Sequence, residues 1–276
     1  MAIHPTAVVE SGARLGNDVA IGPFCYVQSD AEIGDGCELQ SHVCVLAHTT
    51  VGKRCRMHAG SVFGGLPQDT GFKGDVSYVR IGDDCVFREG VTVNRGTKPD
   101  SETVVGNGCM LMANAHCAHN VQVGNHVTIA NCTALAGFVT VGDRAFISGT
   151  VGVHQFVRIG QLAMIGVSGV LTKDLPPFCT VRPSTENGVA GLNVVGMRRA
   201  GMTAEARAEI KFAFKVLYGS GLNVTQAIAV LEQGQGGPEI DSILEFIRTS
   251  KRGICASTLR QRGANVSDNG SAPDGA

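Results

Sequence analysis

The chain has 276 residues, enough to bury a large core and to form two structural units. Its 23 Lys+Arg nearly balance 24 Asp+Glu, which excludes a nucleic-acid binder that works by bulk positive charge. Glycine is abundant at 37 residues, aromatics make up 5% and tryptophan is absent, a composition suited to stacked short strands and not to a bulky aromatic core. The Met1–Pro5 start has no charged head followed by an apolar run, so no signal peptide is expected. No apolar run approaches the roughly 18 residues a membrane span needs, so no integral membrane segment is expected and a cytoplasmic location is the default.

From Ile3 an apolar residue recurs at every sixth position: Val9, Leu15, Ile21, Val27, Ile33, Leu39, Val45, Val51, Met57 and Phe63. The same register resumes at Ile81, Phe87 and Val93, and again from Val105 to Leu171. Only Asp69, Asp75 and Pro99 break it, and Pro177 ends it. The next residue is often glycine, as at Gly16, Gly34, Gly52, Gly106 and Gly142, and the fifth position is small or β-branched, as at Ala7, Ala31, Thr49 and Val121. Each hexad therefore reads as a short strand and a turn, with three hexads to one coil of a prism. The aliphatic residue points inward, the small one fits the corner, and glycine is expected to supply the turn dihedrals. Strands pair in parallel from coil to coil, about 4.8 Å apart. The expected fold is mainly β: a left-handed parallel β-helix of hexapeptide repeats, an exception to the right-handed crossover rule, with a small C-terminal α-helical domain.

The prism is expected to span residues 1–183, with external loops near 64–78 and 95–103. Both are rich in Pro, Gly and Asp, and loops leaving a rigid solenoid are natural places for binding groups. Cys25, Cys37, Cys55, Cys85 and Cys109 share the fifth repeat position and read as small apolar fillers in a reducing compartment. No CxxC pair is present, so no structural zinc is expected. Residues 184–255 read as a connecting segment and a helical cap. Thr203 caps a helix with Glu205 in its first turn and a stripe of Ile210, Phe214, Leu217 and Tyr218. Further helices fit Thr225 to Gln233 and Glu239 to Lys251, and 256–276 reads as a disordered polar tail.

Chemistry centres on Asn114-Ala115-His116-Cys117-Ala118-His119-Asn120. Neither histidine occupies an inward slot. Each can move a proton near neutral pH, and Asn120 could hold the second ring nitrogen of its neighbour. A pair of solvated turn histidines fits the spacing equally well. His154 lies about two coils beyond His119, roughly 10 Å along the prism, a span that suits one substrate. Gln68 and Asp69 could hydrogen-bond a sugar or simply form a turn. Arg198 and Arg199 suit a diphosphate or an acidic carrier protein, or serve as a solubilising cluster. Lys211 and Lys215, four apart on a helix, extend that basic character.

Together, the hexapeptide comb, Asn114–His119, Val153-His154-Gln155-Phe156, Pro67-Gln68-Asp69, Arg95-Gly96-Thr97 and the helical cap resemble the acyl-[acyl-carrier-protein]–UDP-N-acetylglucosamine O-acyltransferases. The resemblance covers residues 1 to about 255. It implies the first step of lipid A biosynthesis, performed without cofactor or metal by a cytoplasmic homotrimer whose active sites lie between subunits. A 3-hydroxyacyl chain would pass from acyl carrier protein to the 3-position of UDP-N-acetylglucosamine. His119 falls on the general base and His116 on a supporting histidine. Gln68 and Asp69 fall on residues that touch the sugar nucleotide across the subunit boundary. His154 and Gln155 line the same cleft, and Asn193 and Arg199 match residues near the uridine and phosphates. The Gly137 N–H matches an oxyanion donor, and Val167 matches the acyl-chain ruler. The chain departs from better-known members at Asn120, where they have Asp, and at Phe138 and Asn94, where they have His. It departs also at Gly71 for Lys, Val195 for Glu and Ala200 for Arg.

Two other readings compete. The loop wording also suits a subgroup that acylates the 3-amino analogue of the sugar to give an amide. A γ-class carbonic anhydrase-like zinc enzyme shares the trimeric β-helix but needs three histidine ligands at a longer spacing.

Overall fold

The computed structural model describes residues 2–234 and 236–257. Among these, most strands are two residues long, and they build sheets of twelve, nine and eight strands. Within each sheet of the prism the neighbour of a strand is the third one on in sequence. Ala2–Ile3 pairs in parallel with Ala20–Ile21, which pairs with Glu38–Leu39, which pairs with Arg56–Met57. This is a three-sided prism, the left-handed parallel β-helix. The apolar comb points inward: Ile21, Leu39, Met57, Phe87, Leu111 and Ile129 are all buried along one wall, and Phe63 and Phe87 meet edge to face at 4.9 Å. Between strands Val62–Gly65 and Tyr78–Ile81, and again between Thr92–Asn94 and Glu102–Val105, the chain leaves the prism.

The structure corrects the role of the repeat glycines. Positive φ falls two residues after them, at Asp18, Arg54, Asp84 and Arg144 among others, and not on the glycines themselves. Gly16, Gly34, Gly52, Gly82, Gly106, Gly124, Gly142 and Gly160 instead form a column at the corner after the eight-stranded sheet. A Cβ on Gly34 would stand 2.6 Å from Gly52 O, and one on Gly106 would stand 2.6 Å from Gly124 O. Glycine is required there because the coils approach too closely for a side chain. The following residue caps the corner. Asp35, Asp83, Asn107, Asn125 and Asp143 each accept, through Oδ1, the backbone N–H of the coil before, at 2.8–2.9 Å.

The cysteines also do more than fill space. Cys37, Cys55, Cys85 and Cys109 stack beside that corner. Each thiol donates to the carbonyl of the glycine in the next coil, at 3.1–3.2 Å.

At its C-terminal end the prism is closed by Cys179–Val181, which continues the twelve-stranded sheet and turns back antiparallel with Gly188–Leu192. Four helices follow among the described residues: α1 (Val194–Arg199), α2 (Ala204–Gly219), α3 (Val224–Glu232) and α4 (Pro238–Arg248). Thr203 caps α2 as the sequence suggests. The short α1 lies in what reads as a connector, and α3 is capped by Asn223 in a capping box with Gln226, not by a residue nearer Thr225. Ala256–Ser257, expected to begin the disordered tail, forms a strand beside Gly188–Val189; the rest of that expected tail lies outside the described residues.

The cap is tied down by Arg158, whose guanidinium donates to Phe246 O and Thr249 Oγ1 and lies 4.3 Å over the Phe246 ring. Asp174, 1% exposed, accepts from Arg158 N and from Ser250 Oγ. No described helix is long and apolar enough to cross a membrane.

If close approach governs the glycine column, Gly106→Ala should cost about 1–3 kcal/mol by overpacking. Gly191→Ala, where a Cβ meets nothing within 4 Å, should stay within about 0.5 kcal/mol. Urea-denaturation midpoints of the two variants check this.

Candidate active site

His116 starts a strand of the nine-stranded sheet, and His119 sits at the corner just beyond it. His119 is buried, and Asn120, itself held by Thr97 and Thr103, fixes its ring. Asn120, held at φ 60°, takes Nδ1 on its side-chain oxygen at 3.2 Å. That oxygen also accepts from Thr97 N at 3.0 Å and from Thr97 Oγ1 at 2.9 Å, while Asn120 N donates to Thr103 Oγ1 at 2.7 Å. Because the Thr97 N–H can only donate, the amide orientation is set, and Nδ1 facing its oxygen must carry the proton. Nε2 is left as the basic nitrogen, 3.5 Å from Asp69 Oδ2.

Gly137 is the residue one coil on, and a Cβ there would stand 2.5 Å from Nε2 and closer still to Cε1. Any side chain at 137 would push the imidazole aside. At two lower coils of this corner the equivalent amide is capped by a side chain: Ser29 N by Glu10 and Ala47 N by Gln28. Gly137 N has no such acceptor among the described residues. The remaining wall is aromatic. Phe138 meets His119 edge to face at 5.2 Å and stacks on Phe156 at 4.9 Å.

His116 contacts Thr92 Oγ1 through Nδ1 at 2.7 Å. Burial lowers its pKa, and the neighbouring His119 lowers it further, so its ring is neutral at pH 7. Gln68, His116, His119, Gly137, His154 and Gln155 line one open cleft of about 470 Å³, and Asp69 joins them through His119. Asp69 stands beside His119 of its own chain, 3.5 Å from Nε2. The first loop departs from the same corner, two coils below, and folds back over it.

Asn193 and Arg199 are not in this cleft. With Val195 and Ala200 they line a separate depression of about 600 Å³, which His126, Arg144 and Phe146 help enclose on the twelve-stranded side. Asn193 also caps α1, accepting from Gly196 N and donating to Leu162 O, both at 2.9 Å. Val167 lies at the corner after the twelve-stranded sheet, 49% exposed and away from the cleft.

A profile for the UDP-N-acetylglucosamine O-acyltransferase second domain matches residues 174–255, and the bacterial transferase hexapeptide profile matches 12–47 and 102–137. The acyl-[acyl-carrier-protein]–UDP-N-acetylglucosamine O-acyltransferase of Anaeromyxobacter dehalogenans is 40% identical over 92% of this chain and 99% of its own. The enzyme of that name from Stenotrophomonas maltophilia is 41% identical over 91% and 96%. The chain belongs to this O-acyltransferase family. Among solved structures, the Francisella novicida UDP-N-acetylglucosamine acyltransferase superposes with a TM-score of 0.90 at 33% identity, covering 99% of this chain and 100% of that one. The Bacteroides fragilis enzyme gives 0.86 at 36% identity, covering 91% and 99%. Neither the amide-forming nor the zinc-enzyme reading is favoured by these O-acyltransferase relatives.

Thr92 and Thr103 were not singled out by the sequence, and Thr97 and Phe156 entered only as parts of longer segments. A loop hides the first: Thr92 precedes His116 by 24 residues and not by the 18 of an uninterrupted coil, so simple counting misses the pair.

Two tests follow from this O-acyltransferase site. Asn120→Asp keeps every acceptor and adds a charge that favours the imidazolium. It should move the acid limb of the kcat/KM profile up by about one pH unit or more. In NMR titrations the His116 ring should titrate below the ordinary histidine range, and His119→Gln should raise it part of the way back.

Proposed function

We propose that this chain transfers a 3-hydroxyacyl group from acyl carrier protein to the 3-hydroxyl of UDP-N-acetylglucosamine, the first step of lipid A biosynthesis, with His119 as general base. One observation carries the catalytic reading. His119 has Nδ1 committed to Asn120, its basic Nε2 turned to Asp69, and an uncapped amide one coil on at Gly137.

The sugar hydroxyl gives its proton to Nε2 as its oxygen attacks the thioester carbonyl. The carbonyl oxygen becomes an alkoxide, which the Gly137 N–H stabilises where the charge develops. Collapse breaks the carbon–sulfur bond, and the departing thiolate takes the proton back from the imidazolium. Asp69 supports that imidazolium while it exists. His116, neutral and held by Thr92, positions substrate, and Gln68, His154 and Gln155 offer polar contacts along the cleft.

Arg199 and Asn193 take the nucleotide end, and they lie on a different face of the prism from His119. A homotrimer in which one subunit's depression meets its neighbour's cleft would join the two halves, and would let Val167 act from the neighbour as an acyl ruler. Arg198, Arg207 and Lys211 around a second groove, with Lys215 on the same helix, suit an acidic carrier protein. The enzyme would work in the cytoplasm.

The test is product analysis with purified protein. His119→Ala should lower transfer about 10²- to 10⁴-fold, with the oligomer intact. Offered UDP-N-acetylglucosamine and its 3-amino analogue, the wild-type chain should form the ester. A strong preference for the amine would overturn the O-acyl reading.

A further inference from the structure

Gly152 has no structural reason to be glycine. It sits within a strand of the nine-stranded sheet, in register with Ala134 on one side and Val170 on the other. Most glycines of the prism have a positive φ or a neighbour that a Cβ would meet. Gly152 and Gly191 combine an ordinary backbone with nothing within 4 Å of a built Cβ, and Gly191 lies in the hairpin at the prism's end. A strand glycine costs about 0.5–1 kcal/mol against alanine, so the fold would gain from a methyl group at 152. The empty space there belongs to the cleft.

That space is part of a graded trough. Successive coils place Thr92, His116, Ala134, Gly152 and Val170 in one outward column. Beyond His116 the side chains shrink to a methyl and then to a hydrogen. Val170 then stands up, 47% exposed, about 5 Å past Gly152. Ala134, Ala136, Gly152 and Val170 all line the same cleft as His116 and His119. One end holds His116 and His119, where a thioester carbonyl would react. The column of Ala134 and Gly152 leads away from them along the prism axis, bordered by His154, Gln155 and Thr172.

We propose that Gly152 keeps the floor of the acyl channel open and that Val170 is a stop along it, so that these two residues take part in acyl-length selection beside the ruler proposed at Val167. The proposal rests on the acyltransferase reading above, and it is separate from Val167, which lies on another corner. Val170 is held through its backbone. Its N–H donates to Thr185 O and its carbonyl accepts from Asn187 N, both at 3.1 Å.

The experiment measures kcat/KM for a ladder of 3-hydroxyacyl carrier proteins, short to long, with UDP-N-acetylglucosamine and the full-length chain. Val170→Gly should raise the ratio of longer acyl groups to the wild-type optimum by about tenfold or more. Gly152→Val should cut use of the wild-type optimum by about tenfold while the shortest acyl group stays within about threefold. An unchanged length profile in both variants overturns the proposal. So does a shift produced by Val167→Gly but not by Val170→Gly, which would put the stop at the other corner. Loss of the wild-type oligomer in Gly152→Val, seen by light scattering, would assign the space to a neighbouring subunit and also overturn it. No transfer by the wild-type chain at any acyl length would instead sink the acyltransferase reading, and this proposal with it.

Discussion

Each coil lies on the next through parallel backbone hydrogen bonds, such as Gly34 N to Val51 O and Gly124 N to Val141 O, at 2.8–2.9 Å. That spacing is not negotiable, because both backbones must be satisfied. It makes neighbours of residues eighteen apart and forces glycine where corners nearly touch. It also turns single side chains into ladders: the Asn/Asp caps, the thiols, and the outward column from Thr92 to Val170. The catalytic corner is one more rung. Gly137 lies over His119 for the same reason that Gly124 lies over Gly106.

This constraint explains what could be read from the sequence. A six-residue apolar comb has one good structural solution, so the prism, its core and its parallel register were legible. The physical meaning of the glycines was not. Periodicity reveals where a residue recurs, while the choice between an unusual φ and a close approach depends on three-dimensional contact. Six of the residues picked out in the sequence gather in one cleft with Asp69 beside them, while Asn193, Arg199 and Val167 lie outside it, and the network behind His119 was illegible. Counting by eighteen fails across the two loops, which hides Thr92 beneath His116 and Thr97 beside Asn120. In the cap, the long stripes of α2 and α4 were plain, whereas α1 is six residues long and is started by one asparagine side chain.

The surroundings of His119 differ from those of a Ser-His-Asp histidine, where a carboxylate sits behind the ring on the nitrogen remote from substrate. Here a neutral amide holds Nδ1, and the carboxylate of Asp69 stands 3.5 Å from Nε2. In the proposed reaction the orienting and charge-stabilising tasks would thus be divided between a corner of the prism and a loop, the loop acting where the proton is exchanged.

Asp174 carries a consequence for the order in which the molecule is made. Its carboxylate joins Arg158 of the prism to Ser250, beyond the last helix, and Ala256–Ser257 completes the closing hairpin a few residues later. A solenoid can assemble coil by coil as it leaves the ribosome, each new turn resting on the one before. The cap has no such freedom. Its anchors on the prism wait, half satisfied, until Ser250 and Ala256–Ser257 have been synthesised, so the cap locks only after every coil of the prism is already in place.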